Sequence, residues 1–167
     1  MVTERLSYLP DNLPDYRPCP PASQREFWQA LPASAQERWC KAGEDALAQP
    51  IAPLPLTAWL DFTRTGRRTG WEDAYFSRRA RLCALVLAEC VQHSGRCLEP
   101  VLDMLWAICE ESAWQLPAHN SYIRDTPQLP LPDTTRPVVD LFAAETGGLL
   151  ALVHYLLCLL YTSPSPR

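Results

Sequence analysis

The spacing of apolar residues between Trp71 and Ser94 constrains the fold of this chain more than any other feature of its sequence. One side of the predicted helix carries Trp71, Tyr75, Leu82, Leu85 and Val86, and the other carries Phe76, Ala80, Cys83, Leu87 and Val91. A helix that is apolar on two sides packs between neighbouring elements. The pattern therefore predicts a long central helix, with Gly95 just past its end in a left-handed cap.

A second helix follows this central helix after a short link. Pro100 stands near its start, it is predicted to end near Ser112, and its inner face is predicted to carry Val101, Leu105, Ile108 and Cys109. A short link joins antiparallel neighbours, so the two helices form a hairpin. No stretch alternates apolar and polar residues for long enough to propose a strand. We therefore predict an all-α fold of antiparallel helical hairpins.

The rest of the chain divides into an arm, a helical domain and a tail. Residues 1–22 contain five prolines, which favour extended backbone and predict a proline-rich arm on the surface. Within the helical domain, residues 23–157, Ser23 and Ser34 each precede a glutamate by three residues. This capping-box spacing predicts two helix starts.

The tail, residues 158–167, reads CLLYTSPSPR. It resembles the translated read-through of a sequencing-library adapter, a short peptide found at the ends of metagenomic reading frames. We therefore expect the tail to be non-native and to lack fixed contacts beyond about Leu157. The alternative is a natural hydrophobic run ending in a disordered tail, which is too short to span a membrane.

Charge and cysteine content exclude several classes of partner and site. The charged fraction is 20% and the formal net charge is -4, so we expect no nucleic acid and no membrane as partner. The seven cysteines form no C-x-x-C pair, which favours reduced core thiols over disulfides, and we expect no metal and no cofactor. The N-terminus has no secretory signal pattern, which favours the cytoplasm, or the periplasm if the true start is missing.

Candidate site residues gather where the second hairpin helix ends, in WAICEESAWQLPAHNSY, residues 106–122. The adjacent carboxylates of Glu110 and Glu111 precede Trp114, and His119 and Asn120 follow a proline. An indole can stack on a sugar ring while carboxylates, imidazole and amide bind hydroxyls or a uronate. We therefore predict that this stretch binds substrate, with solvated carboxylates and a structural histidine as the alternative.

Glu145 stands between Phe142 and Leu149 within the apolar stripe of the last helix, which is predicted to begin near Val138. An unpaired buried carboxylate costs several kcal/mol, so this position predicts pairing, hydrogen bonding or a place facing a cleft. Glu145 is therefore a sixth candidate substrate-binding residue. A hydrogen bond that anchors the proline-rich connection before the helix is the alternative.

The phrases WAICEESAWQLPAHN and DLFAAETGGLLALVHYLL, in this order, carry a family resemblance. They resemble the N-terminal helical region of bacterial heparinase II/III-like proteins over most of residues 8–157. The resemblance implies that the hairpins form part of an incomplete α/α toroid, followed in the parent protein by a β-sandwich domain. It also implies that Glu111, Trp114, His119 and Asn120 contribute to the wall of a cleft.

The same resemblance implies a function for the parent protein, a polysaccharide lyase that cleaves a uronic-acid-containing polysaccharide by β-elimination. Such chemistry needs a base, a group that neutralises the enolate-like charge, and an acid. The implied partners are an acidic polysaccharide or oligosaccharide, and the missing toroid helices and β-sandwich. Since the catalytic groups of the family come mostly from those missing parts, the catalytic residues stay unknown and this fragment alone is expected to be inactive.

Two other functions fit the same pattern. The parent of this toroid fragment could be a glycoside hydrolase in which Glu110 and Glu111 serve as the carboxylate pair. The hairpins could instead form a non-catalytic scaffold for carbohydrate binding or protein interaction.

Overall fold

Six α-helices and one short 3₁₀ helix make up the part of the chain that the computed structural model describes, residues 17–121, 129–133 and 135–157. In chain order these are α1 (Arg25–Gln29), α2 (Ala33–Leu47), α3 (Leu56–Thr65), α4 (Thr69–Gln92), α5 (Leu98–Cys109), the 3₁₀ helix (Pro117–His119) and α6 (Leu141–Leu156). The described residues contain no strand, so the all-α prediction is confirmed. None of these helices is long and apolar enough to cross a membrane.

Helix α4 is the central element, and it contacts α1, α2, α3, α5 and α6. Its buried side chains include Leu82, Leu85 and Val86 on one side and Cys90 and Val91 further along. The same helix therefore contributes to the main core and, through Trp71 and Tyr75, to a smaller aromatic cluster. This confirms that the helix packs between neighbours. The second predicted apolar side is only partly buried, however, because Phe76 and Ala80 are exposed.

The link between α4 and α5 closes differently from the prediction. The left-handed cap is His93, with φ of 51°, while Gly95 lies two residues further on with φ of 78°. The buried carboxylate of Glu89 accepts hydrogen bonds from the backbone N–H of Gly95 at 2.7 Å and of Cys97 at 3.2 Å. A side chain from the last turn of α4 thus organises the link, and both positive-φ residues follow from this tight path.

The buried face of α5 is shifted by one position at its centre. Val101, Met104 and Ile108 are fully buried, whereas Leu105 is half-buried and Cys109 is exposed. The predicted stripe through Leu105 and the observed stripe through Met104 both follow helical spacing. Helix α5 turns the stripe with Met104 toward α4. The prediction of Leu105 and Cys109 on the inner face was therefore wrong in register, although it was right for the helix itself.

Helices α2 and α4 approach each other closely at Gly43. A Cβ atom added to Gly43 would lie 2.3 Å from the Cβ of Ala88, well inside van der Waals contact. Both residues are buried. Only the absence of a side chain at Gly43 lets the two helices pack at this distance.

The capping boxes predicted at Ser23 and Ser34 are not formed. Helix α1 has Gln24 at its N-cap and α2 has Pro32, and neither helix start has a side-chain cap hydrogen bond. Ser34 lies inside the first turn of α2, because that helix begins at Ala33. The fixed φ of Pro32 instead prepares the chain for helix entry at this point.

Helix α6 begins three residues later than predicted, and its predicted inward stripe of Phe142, Leu149, Val153 and Leu156 packs against the core with Thr146, not Glu145, between Phe142 and Leu149. Its N-cap is Asp140, whose carboxylate accepts a hydrogen bond from the Ala143 N–H at 2.7 Å. Thr146, Val153 and Leu156 are buried, whereas Glu145 is exposed. The premise that Glu145 lies in a buried stripe was wrong, because Thr146 takes the inward position and one residue rotates a helical position by about 100°.

The cysteines among the described residues are free thiols. Burial raises the pKa of the Cys90 thiol to about 12, so this group stays protonated in the core. The last residues of the predicted arm pack against α6, since the Ala22 N–H donates to the Leu156 carbonyl at 3.0 Å. Residues 1–16 of that arm and the predicted tail, residues 158–167, lie outside the described residues.

Candidate functional site

The predicted site stretch begins on the outer side of α5. Trp106 is 68% exposed, and Glu110 is the exposed C-cap residue of that helix. The chain then turns inward at Glu111 and runs through Trp114 to the 3₁₀ helix. The two adjacent carboxylates therefore point into different environments, one into solvent and one into the protein.

The carboxylate of Glu111 is held by two arginines of α4, and we call these three residues the arginine clamp. Arg79 donates to it in a bidentate pair, Nη1 to Oε1 at 2.8 Å and Nη2 to Oε2 at 2.6 Å. Arg78 Nη1 donates to Oε1 at 3.1 Å. The Glu111 side chain is only 3% exposed. The clamp thus uses both carboxylate oxygens of Glu111 to attach the loop after α5 to α4.

Arg79 extends this clamp to α6. Its guanidinium carbon lies 3.4 Å from the centre of the Tyr75 ring, and its Nε donates to Thr146 Oγ1 at 3.2 Å. The Tyr75 hydroxyl lies 2.8 Å from both Thr146 Oγ1 and the Trp114 carbonyl oxygen. Burial raises the pKa of Tyr75 above its ordinary value, so the phenol remains a neutral hydrogen-bonding group.

His119 and Asp140 join the 3₁₀ helix to the start of α6. His119 Nδ1 lies 2.7 Å from Asp140 Oδ2, and the imidazole stacks on Phe142 with ring centres 5.8 Å apart. The same Oδ2 accepts the Leu116 N–H at 3.2 Å. Asp140 therefore caps α6 with one oxygen and anchors the preceding loop with the other.

Asn120 holds the two loop segments on either side of residues 122–128 together. Its Nδ2 donates to the carbonyl oxygens of Leu129 at 2.8 Å and Leu131 at 2.9 Å. Its Oδ1 accepts a hydrogen bond from Gln115 Nε2 at 3.2 Å. All hydrogen-bonding groups of the Asn120 amide thus face protein partners.

Two adjacent open cavities lie where these loops meet the helices. The polar-edged cavity, about 410 Å³, is lined by Ser112, Ala113, Trp114, Gln115, Pro132, Asp133, Pro137, Val138, Val139 and Ala143. The indole cavity, about 370 Å³, is lined by Leu54, Leu56, Trp59, Trp71, Ser112, Ala113, Leu131 and Pro132. The two cavities share Ser112, Ala113 and Pro132, so the loop after α5 forms the wall between them.

Of the six residues predicted to bind substrate, Trp114 lines one of these cavities. Its Nε1 donates to the Ile108 carbonyl at 2.9 Å, which fixes the ring. Glu111, His119 and Asn120 lie behind the loop and hold it through the contacts described above. Glu110 and Glu145 are exposed and line neither cavity. Direct contact of any of the six residues with a substrate stays a prediction.

Sequence reasoning missed the arginines of the clamp and the remaining cavity residues. The adjacent pair Arg78 and Arg79 in the middle of an apolar helix was a usable signal, since charged residues in a helix that packs on two sides require partners. Asp133 and Gln115 had no such signal, because loop residues are brought to a cavity by the path of the backbone.

Comparison with models of known protein families finds no match for this chain. A search of curated proteins likewise finds no significant relative. Within residues 17–121, 129–133 and 135–157, no group of three or more His, Cys, Asp or Glu side chains is placed to hold a metal ion.

Proposed function

We propose that this chain is the N-terminal part of a heparinase II/III-like polysaccharide lyase and that its polar-edged cavity binds a sugar unit of the substrate. The observation that carries the proposal is the position of this cavity, which is built by the loop after α5 that carries the resemblance. The Trp114 ring offers an apolar face for a pyranose. The base and acid of the β-elimination come, in this proposal, from parts of the parent outside this chain.

The negative charge at the edge of this cavity restricts which sugar units the cavity can bind. Hydrogen bonds from Thr135, from its hydroxyl at 2.6 Å and its backbone N–H at 2.9 Å, hold the pKa of Asp133 below its usual range. A carboxylate accepts hydrogen bonds from hydroxyls but repels a uronate. Within an acidic polysaccharide, the cavity therefore takes an uncharged sugar unit next to the uronate.

A non-catalytic carbohydrate-binding scaffold is the second candidate, and the arginine clamp favours it. Both Glu111 oxygens are bound to arginines, and the Asn120 amide is fully bonded to protein groups. The Glu111 carboxylate and the Asn120 amide therefore hold the cavity wall in place and are poorly placed to transfer a proton. The engagement of Glu111 also weighs against the glycoside hydrolase alternative, which would need that carboxylate free.

Binding is tested by titrating the chain with uronate-containing oligosaccharides and measuring heat or tryptophan fluorescence. Ala143→Phe fills the polar-edged cavity and should weaken binding at least ~10-fold, equal to ~1.4 kcal/mol. The matched control is Ala144→Phe, which places the same side chain on the exposed face of α6. Equal affinities in the two variants would show that the oligosaccharide does not bind in this cavity.

The reaction is tested with the longer parent protein that this proposal implies. A lyase gives an unsaturated uronate product, detected by its ultraviolet absorbance, whereas a hydrolase gives new reducing ends without unsaturation. Binding that is blocked by Ala143→Phe without any product would support the scaffold and overturn the lyase.

A further inference from the structure

The indole cavity lacks the amide and carboxylate side chains, Gln115 and Asp133, that line its neighbour. Its walls are aliphatic and aromatic side chains, with Ser112 as the single hydroxyl-bearing residue of the lining. Trp59 and Trp71 meet edge to face there, with ring centres 5.0 Å apart and an angle of 87° between the planes. A sugar with a hydroxyl on most of its carbons would lose hydrogen bonds to water in such a place. The cavity therefore suits a different class of ligand.

One hydrogen-bond donor in this wall has no partner. The Trp71 side chain is buried, and its Nε1 is the one buried side-chain nitrogen or oxygen without a hydrogen bond in the part of the chain that the structure describes. Trp59 Nε1, by contrast, donates to the Pro130 carbonyl at 3.0 Å. A buried donor left unpaired costs about 1–3 kcal/mol, so natural proteins rarely leave one without a reason.

We infer that the indole cavity binds a small, mostly apolar or aromatic molecule that carries one hydrogen-bond acceptor, and that Trp71 Nε1–H donates to this acceptor. The volume of about 370 Å³ lies in the range of small-molecule sites. The apolar part of the ligand packs against Trp59, Leu54 and Leu56. This inference does not depend on glycan binding at the polar-edged cavity.

Binding requires the Trp71 ring to turn so that its N–H reaches the cavity. Nε1 is covered in the empty cavity, although the same indole forms part of the wall. Side-chain rotations of this kind are common when a ligand binds and leave the backbone in place. The observable consequence is a change at the indole N–H itself rather than at the loops around the cavity.

Two isosteric probes separate the role of the acceptor from that of the apolar walls. Acetophenone carries a carbonyl oxygen where α-methylstyrene carries a methylene group, and the two molecules otherwise have the same shape. In the ¹⁵N-labelled protein, acetophenone should move the Trp71 indole proton downfield, and α-methylstyrene should not. The signal is assigned by its loss in Trp71→Phe. Absence of binding by both probes, or equal shifts of this proton with both, would overturn the inference.

Affinities provide a second measurement. Acetophenone should bind about 3- to 10-fold more tightly than α-methylstyrene, the ratio expected for one neutral hydrogen bond. Trp71→Phe should reduce this ratio to about 1, while the control Trp106→Phe, on the outer face of α5, should preserve it. A ratio of about 1 in the unmutated protein would contradict the inference. If Trp71→Phe does not fold, the Trp71 indole signal is assigned by its through-space contacts with Trp59, whose ring centre lies 5.0 Å away, and its shift in the unmutated protein decides the question.

Discussion

Two parts of α4 are held to their neighbours by different kinds of interaction, close packing in one and ion pairing in the other. Around Ala88 the helix packs against α2 so closely that Gly43 has no room for a Cβ atom. Around Arg79 it is joined to the loop after α5 and to α6 by ion pairs and hydrogen bonds. The first contact depends on volume and the second on charge pairing. Substitutions that one region tolerates should therefore damage the other.

The largest expected effect is the loss of the carboxylate in the arginine clamp. Glu111→Ala leaves Arg78 and Arg79 without their shared partner, and removing one member of a buried pair costs about 3–5 kcal/mol. The measurement is urea unfolding followed by circular dichroism. Glu110→Ala is the matched control, because the neighbouring exposed carboxylate should change stability by less than ~0.5 kcal/mol. Equal losses of stability in the two variants would show that the arginine clamp does not stabilise the protein.

Truncation of the α5 core face should have the next largest effect. Ile108→Ala removes a fully buried side chain and should cost about 2–5 kcal/mol in the free energy of unfolding. Leu102→Ala, on the exposed side of the same helix, should cost less than ~1 kcal/mol. If Leu102→Ala proved the more costly, the observed register of α5 would be wrong.

The close contact at Gly43 predicts that adding a side chain, rather than removing one, lowers the stability of the protein. Gly43→Ala adds one methyl group at 2.3 Å from Ala88 Cβ, so the two helices must separate. Overpacking of this kind costs about 1–3 kcal/mol, although alanine is the better helix former. Gly148→Ala, where nothing lies within 4 Å of the added atom, should instead stabilise the protein by up to ~1 kcal/mol. Thermal unfolding of both variants tests this contrast.

The smallest expected effect concerns the Tyr75 hydroxyl. Tyr75→Phe removes the hydrogen bonds to Thr146 and to the Trp114 carbonyl and should cost about 1 kcal/mol near neutral pH. Because burial raises the pKa of Tyr75 above 10.0, the unfolded phenol ionises first, and its contribution to stability is lost as pH rises above that value. The variant should therefore show a shallower loss of stability at alkaline pH, and an unchanged slope would argue against this assignment.

The helices of the hairpin could be predicted from sequence because their patterning is strong. Apolar residues at helical spacing identified α4 and α5 to within a few residues of their observed ends. The exact inward face of α5 could not be predicted from sequence. Met104 and Leu105 are both apolar, and only the packing against α4 selects between them. In α6, Thr146 lies inward because its hydroxyl meets Tyr75, a tertiary contact that no local pattern encodes.

The sequence singled out the stretch after α5 as a candidate site, and binding there stays a prediction. The stretch after α5 does form the wall of two cavities, and Trp114 lines one of them. The orientations of Glu111 and Asn120 depend on Arg79 and on the backbone near Leu131, which are distant in sequence. Residue type alone does not distinguish a polar side chain that meets a ligand from one that binds its own protein.

Asn120 has a consequence for the chemical ageing of the protein. It precedes a serine, and its amide nitrogen donates to the carbonyl oxygens of Leu129 and Leu131. Deamidation would replace both N–H donors by a carboxylate that faces two carbonyl oxygens, turning two attractions into two repulsions. Since Leu131 lines the indole cavity, a deamidated Asn120 would weaken the attachment of this part of the cavity wall.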